Sequence, residues 1–424
     1  CICSRSLCPA LLSELSPTLD DVDRVLNEYI RPIFSQAAHQ GRVDTQTGRA
    51  APSLPAAAVV DEPAWMSHMP IAGHIPLGAP CVLAWCVAPI RSARDARAGE
   101  RFWPQLLPPI MVLLDASGAR AKVHGACVAL QMLDQGSAEL AQLLQRTGMA
   151  TLLDESLSRM LYFMTDAADG PLVLCAALAA RQALSFLTEG KVRFEMQCVL
   201  LSEGVLAALA YCAPASASMP ALEQNSMYTS PRLQQALSGT AAAWACVLWL
   251  DLGSPSVRFL DAWMDWAAGW LEHALSASGP TFPPCGAPKQ DLSAAVQAVE
   301  QGELVTPPPA ASMATWNAAA RVQLQSITQC ALATQALVHI SGETKATVDG
   351  LPPYAPCLHS WSLRLTAAAC KALLRLGSMN VHDDVKDAVD ALSGALNALF
   401  QSIHDAVPAI APVRARSVPS HAAS

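Results

Sequence analysis

A few groups of residues in this chain are of the types that do chemistry. Cys357 stands two positions from His359, and an imidazole beside a thiol is what a thiolate nucleophile needs. Cys1, Cys3 and Cys8 cluster at one end, and Cys81 with Cys86 would join His68 and His74 in a composite zinc site. His382, Asp383 and Asp384 imitate the dipeptide of metal-dependent phosphohydrolases, and GETK at Gly342 to Lys345 is a fragment of a phosphate loop. Each lacks its remaining parts. Zinc sites pair ligands as C-x2-C with H-x3–5-H, and no C-x2-C occurs in the chain. The GETK fragment has no leading glycine, no G-x-S-x-G elbow exposes a serine, and no spaced His and Asp ligands accompany His382. The expectation is a chain with no catalytic residue, no metal and no cofactor, in which Cys357 and His359 are incidental neighbours and the acidic pair after His382 opens a helix.

The residues that carry pattern lie elsewhere, between Phe102 and Met164. Leu106, Leu107, Ile110, Met111, Leu113 and Leu114 form a wide apolar face, and Pro104, Pro108 and Pro109 are expected in the opening turns of that helix, where a missing N–H costs least. Asp115, Ser117 and Gly118 are turn formers. Beyond them Ala119, Val123, Ala126, Cys127, Leu130 and Leu133 share a second helix face, with Arg120, Lys122 and Gln131 off it. A proline-started helix, an acidic turn and a second helix with an early basic residue describe a HEAT-type unit. Asp115 would accept amide hydrogens at the start of the second helix, and Lys122 would pair with the acid of a neighbouring repeat.

Composition agrees with a helical array. Hydrophobic residues make up 52% of 424 but aromatics only 5%, so the core is Ala, Leu and Val, as closely packed helices require, and the alternation of strands is scarce. The fold class is all-α, an α-solenoid of degenerate HEAT-like pairs recurring at about 40 residues. The net charge is −8, and no two Lys or Arg residues are adjacent, which excludes a broad nucleic-acid face. The most basic stretch, Arg91 to Arg101, contains Asp95 and Glu100 and is expected to be a solvated loop. The 14 cysteines are scattered singly, many in apolar runs (Cys127, Cys175, Cys198, Cys246, Cys370), and no Asn-x-Ser/Thr occurs; this points to a reducing compartment, cytoplasm or nucleus. Two apolar runs raise the question of a membrane. One is interrupted by Arg181, and the other, ending at Asp251, is shorter than the roughly 20 residues a span needs, so both are expected to be buried helices and no membrane is implied. The first residue is not Met and no signal-peptide pattern follows, as in a fragment.

The organisation expected along the chain is a helical segment over 1–40, with Thr18 or Asp20 as cap and Leu19, Val22, Val25, Leu26 and Tyr29 on one face. An irregular linker over 41–80 follows, then a core over 81–212, a loop over 213–230, C-terminal repeats over 231–406 with Pro-rich insertions between 277 and 312, and a tail over 407–424. Within the repeats, Asp291 to Gln301 reads as a short helix and Met313 to Ile340 as one helix or a broken pair. Trp263, Trp266 and Trp270 share a face, either as core or as a possible partner surface, since Trp is enriched in interface hot spots.

The segment FWPQLLPPIMVLLD, with Lys122 and Gly125, then LLQRTGMATLLDESLSRML, resembles the signature region of the TELO-two-interacting protein two family. VLAWCV at Val82 to Val87 looks like that family's short Trp-Cys helix, so the resemblance rests on Trp85, Cys86, Trp103, Pro108, Pro109, Leu114, Asp115, Lys122, Gly125, Arg146, Thr147, Gly148, Asp154 and Glu155. The strong similarity spans roughly residues 82 to 190. It implies the smallest subunit of the trimeric TTT co-chaperone complex, a non-catalytic scaffold that joins two larger helical-repeat subunits. With the chaperone machinery, that complex matures the phosphoinositide-three-kinase-related kinases of DNA-damage, TOR and telomere pathways. Two alternatives stay open from the residues themselves: another HEAT or armadillo adaptor serving transport or a phosphatase, and a helical enzyme whose site is assembled from distant residues.

Overall fold

The structure, a computed structural model, describes residues 18–40, 70–72, 75–76, 78–92, 96–134, 138–166, 168–212, 231–274, 310–343, 355–377 and 383–406. These are helical almost throughout, so the protein is all-α. The exception is a short antiparallel ladder of β1 (Pro70–Ala72) and β2 (Ile75–Pro76), which pairs Pro70 with Pro76 and Ala72 with Ile75. Cys1, Cys3, Cys8, His68, His74, His382, the stretches 41–69 and 213–230, the helix expected over 291–301 and the tail over 407–424 lie outside the described residues. The chain divides into two compact units, Cys1–Met196 and Gln197–Ser424.

The first unit opens with α1 (Leu19–Val25), which runs through a π turn, Leu26–Ile30, into α2 (Arg31–Gln40). Thr18 is the cap. Its hydroxyl accepts from the Asp21 amide while the Asp21 carboxylate accepts from the Thr18 amide, so each satisfies an orphan donor of the first turn. Val22, Leu26, Ile30 and Phe34 recur every four residues and are buried, whereas Tyr29, expected beside them, is exposed.

Next come α3 (Ala79–Ser92), α4 (Ala96–Asp115) and α5 (Ala119–Leu133). The basic stretch before Phe102 is therefore helix from Ala96 and not loop, and Pro104, Pro108 and Pro109 sit inside α4 rather than in its opening turns. A helix tolerates such prolines where the carbonyls that lose a donor can reach water. Here the rings of Pro104 and Pro108 lie on the exposed side, while Pro109 is buried. The helix α5 is covered on nearly every side: Ala119, Ala121, Val123, Gly125, Ala126, Val128, Ala129, Met132 and Leu133 are all buried. With α3, α4 and the later α8 packed around it, no side is left for a polar stripe. The unit continues through α6 (Ala138–Thr147), α7 (Met149–Met160), a 3-10 turn (Leu161–Phe163) and α8 (Gly170–Phe186) into α9 (Gly190–Val199).

The second unit takes up the end of α9, a π segment (Leu200–Leu206) and α10 (Ala207–Tyr211). It goes on with α11 (Pro231–Leu252), a 3-10 stretch (Ser254–Phe259), α12 (Leu260–Ala274), α13 (Ala310–Glu343), α14 (Ala355–Gly377) and α15 (Asp383–Ala406). Its axis is α13, a single helix of 34 residues, not a broken pair. At 1.5 Å per residue it is about 51 Å long, and both α11 and α15 pack along it. The contact with α11 is close because Gly239 has no side chain: a Cβ there would stand 3.1 Å from Cα of Ser326. Beside it the Ser238 and Ser326 hydroxyls share a buried hydrogen bond of 2.7 Å.

The uninterrupted run Gly190–Tyr211 is 22 residues with a mean hydropathy of 1.3 in its most apolar window, long and apolar enough to cross a bilayer by length and composition. This run, and not the two singled out by their apolar residues alone, passes that test among the described residues.

Candidate functional site

Lys122 shows best how the signature residues work. It sits in the first turn of α5 and, contrary to the expectation that it lies off the packed face, is 6% exposed. Its Nζ donates to the carbonyl of Leu114 at 2.5 Å, in the last turn of α4, and lies 4.6 Å from the centre of the Phe163 ring. The ammonium therefore caps the negative end of one helix while an aromatic face replaces part of its lost water. Burial pulls its pKa below the usual lysine value, and the charge of Asp115 opposes that shift. Asp115 itself is exposed. The cap position of α5 is Gly118, with no side-chain hydrogen bond, so the capping role expected of Asp115 is corrected to a through-space attraction on Lys122. Lys122 pairs with a backbone carbonyl, not with the acid of a neighbouring repeat.

Gly125 follows one turn later, where α5 presses on α4. A Cβ at this position would fall 2.8 Å from Cβ of Leu113 and 3.1 Å from the amide nitrogen of Leu114, which is itself buried. The Lys-x-x-Gly spacing thus holds a hairpin: the lysine ties the turn, and the glycine lets the helices touch. Trp103 is buried against Gly99, where a Cβ would come 2.9 Å from Nε1 of the indole. Pro108 is exposed and Pro109 buried. On α3, Trp85 is half-buried and Cys86 fully buried, which pushes the Cys86 thiol up to about 12 and leaves it neutral.

Arg146, Thr147 and Gly148 form the joint between α6 and α7. Thr147 Oγ1 donates to the Leu143 carbonyl at 2.7 Å, and Gly148 takes a left-handed φ of 70°, which favours glycine. Arg146 is exposed. Glu155 pairs with Arg159 one turn along α7, both exposed. Asp154 does more. It receives Nε and Nη2 of Arg181 at 2.8 and 3.2 Å, and the Arg181 side chain is only 3% exposed. This two-toothed pair bolts α7 to α8. Arg181, which reads in the sequence merely as a break in an apolar run, gives no local sign of being its partner. Its remaining nitrogen, Nη1, is buried without a hydrogen-bond partner among the described residues.

In the second unit Trp263 is fully buried and donates to Thr334 Oγ1 at 3.0 Å; Trp270 is 7% exposed and Trp266 half-buried. Together with Trp249 they form a ladder of rings with centroids 4.4, 5.2 and 5.5 Å apart. Trp263 and Trp270 are thus core, and the reading of this face as a partner surface is corrected accordingly. Cys357 donates to the carboxylate of Asp261, which also accepts from Trp361 Nε1 at 3.1 Å. Burial, then the Asp261 carboxylate, push this thiol up to about 12, the reverse of what a nucleophile needs. His359 is exposed. Nearby, Arg364 joins α14 to α12 through Glu272 at 3.0 Å and Asp265 at 3.2 Å. Among the described residues, no three His, Cys, Asp or Glu side chains are placed to hold a metal ion.

Of the polar groups picked out by type and spacing, Lys122, Asp154 and Cys357 are therefore spent on joining helices, whereas Asp115, Arg146, Glu155 and His359 are exposed. What they define is an all-α protein whose most patterned stretch is a set of interlocked helix pairs. The family model for the Tti2 family matches residues 3–248, more than half of the chain, and the chain belongs to the Tti2 family. No curated protein sequence and no solved structure matches it.

Proposed function

We propose that this chain is the adaptor subunit of a TTT complex: a non-catalytic α-solenoid of HEAT-like helical pairs that binds the two larger subunits. Through them it serves chaperone-dependent maturation of phosphoinositide-three-kinase-related kinases. The observation that carries this reading is the Tti2 family match over residues 3–248. The site chemistry supports it, because Lys122, Asp154 and Arg181 are committed to helix joints, and the thiol of Cys357 is held in its neutral form. The partners are proteins, with no nucleic acid or membrane among them, and the place of work is the cytoplasm, the nucleus or both. Affinity purification from the native cell in mild salt, followed by mass spectrometry, tests the assignment. Recovery of two larger helical-repeat subunits is the expected result. Their absence, with transport or phosphatase components in their place, would move the protein to another class of helical adaptor.

A further inference from the structure

Between α13 and α15 the second unit holds a cavity of about 290 Å³. Gln325, Thr328 and Gln329 of α13 form one wall, and Asp387, Ala388 and Ala391 of α15 form the other. Gln325, Asp387 and Ala391 are exposed and the other three half-buried, so the cavity opens on solvent. Its polar groups are idle. Gln325, Gln329 and Asp387 have no hydrogen-bond or ion-pair partner among the described residues, and Thr328 donates to the Leu324 carbonyl at 2.8 Å, which leaves its oxygen free to accept. Arg321 also lines the cavity but is already engaged. Elsewhere in this unit the polar side chains between helices join them, as those of Ser238 and Arg364 do.

We infer that this cavity is a docking groove for an extended, basic segment of a partner polypeptide, held through its main chain by Gln325 and Gln329 and through a lysine or arginine by Asp387. Spacing favours recognition of the main chain. Four residues of helix advance about 6.0 Å and two residues of an extended chain about 6.6–6.8 Å, so carboxamides at 325 and 329 meet alternate residues along one edge of such a chain. Each carboxamide offers a donor and an acceptor, and each residue on that edge presents an N–H and a C=O. The two glutamines therefore do what a neighbouring strand would do.

The unpaired carboxylate of Asp387 sets the sign of the guest. Lys386 and Asp390 flank it outside the cavity, both exposed and of opposite charge, so they offset one another. Ala388 and Ala391 leave a backbone room to lie against α15. Gly394, exposed three residues further on, keeps that side of the helix low, since a Cβ there would meet no atom within 4 Å. The volume stands at the floor of the range for small-molecule pockets, which enclose roughly 70–90% of their ligand's surface. A groove this open suits a chain that passes through it better than a molecule that must be enclosed.

The test uses the full chain and a fluorescein-labelled heptapeptide of alternating Ala and Lys. Fluorescence anisotropy should report binding with a Kd on the order of 100 µM, as suits a small contact. A chain of net charge −8 attracts any cationic peptide, so the decisive controls keep the peptide's charge. N-methylation of its alanines, or of its lysines, removes the N–H groups of one edge, and at least one of these two peptides should bind roughly tenfold more weakly. The double variant Gln325→Leu, Gln329→Leu should lose about as much, with an unchanged circular dichroism spectrum. Asp387→Lys, at an exposed position, should narrow the preference for the Ala-Lys peptide over an Ala-Glu one by about threefold or more. Four results would each overturn the inference: no binding up to about 300 µM chain, both methylated peptides binding as the parent does, a double variant of wild-type affinity, or a peptide preference indifferent to Asp387→Lys. None of them would touch the adaptor reading, because the family match covers residues 3–248 and the groove lies beyond it.

Discussion

Removing the carboxylate of Asp154 should destabilise the first unit more than any other single change to an incompletely buried side chain in its signature stretch. Asp154→Ala leaves the Arg181 guanidinium in place, 3% exposed, without the two hydrogen bonds of 2.8 and 3.2 Å that neutralise it. Breaking a buried pair from one side typically costs about 3–5 kcal/mol. Asp154 is 28% exposed, so its half of the pair is partly screened, and a cost of about 2–4 kcal/mol is the better figure. At about 2–4 °C per kcal/mol for a unit of this size, the melting temperature should fall by roughly 5–15 °C. Arg181→Met is the informative companion. It fills similar volume with no charge to desolvate and lets Asp154 turn to water, so it should stay within about 1 kcal/mol of wild type. In the Arg181→Met background, Asp154→Ala should then cost less than about 1 kcal/mol, since nothing is left to orphan. Urea unfolding followed by circular dichroism, with slopes compared across the set, gives all four free energies. The reasoning fails if Asp154→Ala matches wild type, or if Arg181→Met loses as much as Asp154→Ala.

Three further outcomes follow from the α4–α5 hairpin. Because the folded pKa of Lys122 lies below its unfolded value, the burial penalty is fully present at pH values below the folded pKa, where both states are protonated. It is relieved as pH rises through the folded pKa and is gone by the unfolded value near 10.5. Wild type should therefore gain stability relative to Lys122→Met as pH is raised across that window in paired melts, while Asp115→Ala, an exposed position that forms no cap, should shift stability at pH 7 by less than about 0.5 kcal/mol. Gly125→Ala should cost about 1–3 kcal/mol by forcing α5 off Leu113, and a melting temperature equal to that of wild type would refute the close contact.

The helical class and the start of the first helix were legible because apolar spacing and turn residues are local signals. Val22 and Leu26 announce their burial, and Thr18 announces a helix start. The roles of charged residues were not. Periodicity assigns a charge to the solvent side, and that rule breaks down for α5, which has neighbours on almost every side and so buries Lys122. It breaks down again for Arg181, whose partner is 27 residues away, a distance no spacing rule reaches. The prolines of α4 misled for a related reason: whether a carbonyl without a donor is costly depends on its access to water, which only the packing decides. The signature glycines, by contrast, made sense only once distances were known, Gly125 through contact and Gly148 through its backbone angle.

The long helix α13 also sets a timetable. During synthesis α11 and α12 leave the ribosome first, carrying Leu237, Leu248, Trp249, Trp263 and Met264, all buried in the finished unit. The helix that covers much of them ends at Glu343, about ninety residues after Leu252. At the usual 5–20 residues per second, that is a wait of roughly 5–20 s with apolar faces in water. A protein that we propose serves a chaperone pathway would therefore itself pass through a stage in which a chaperone has something to hold.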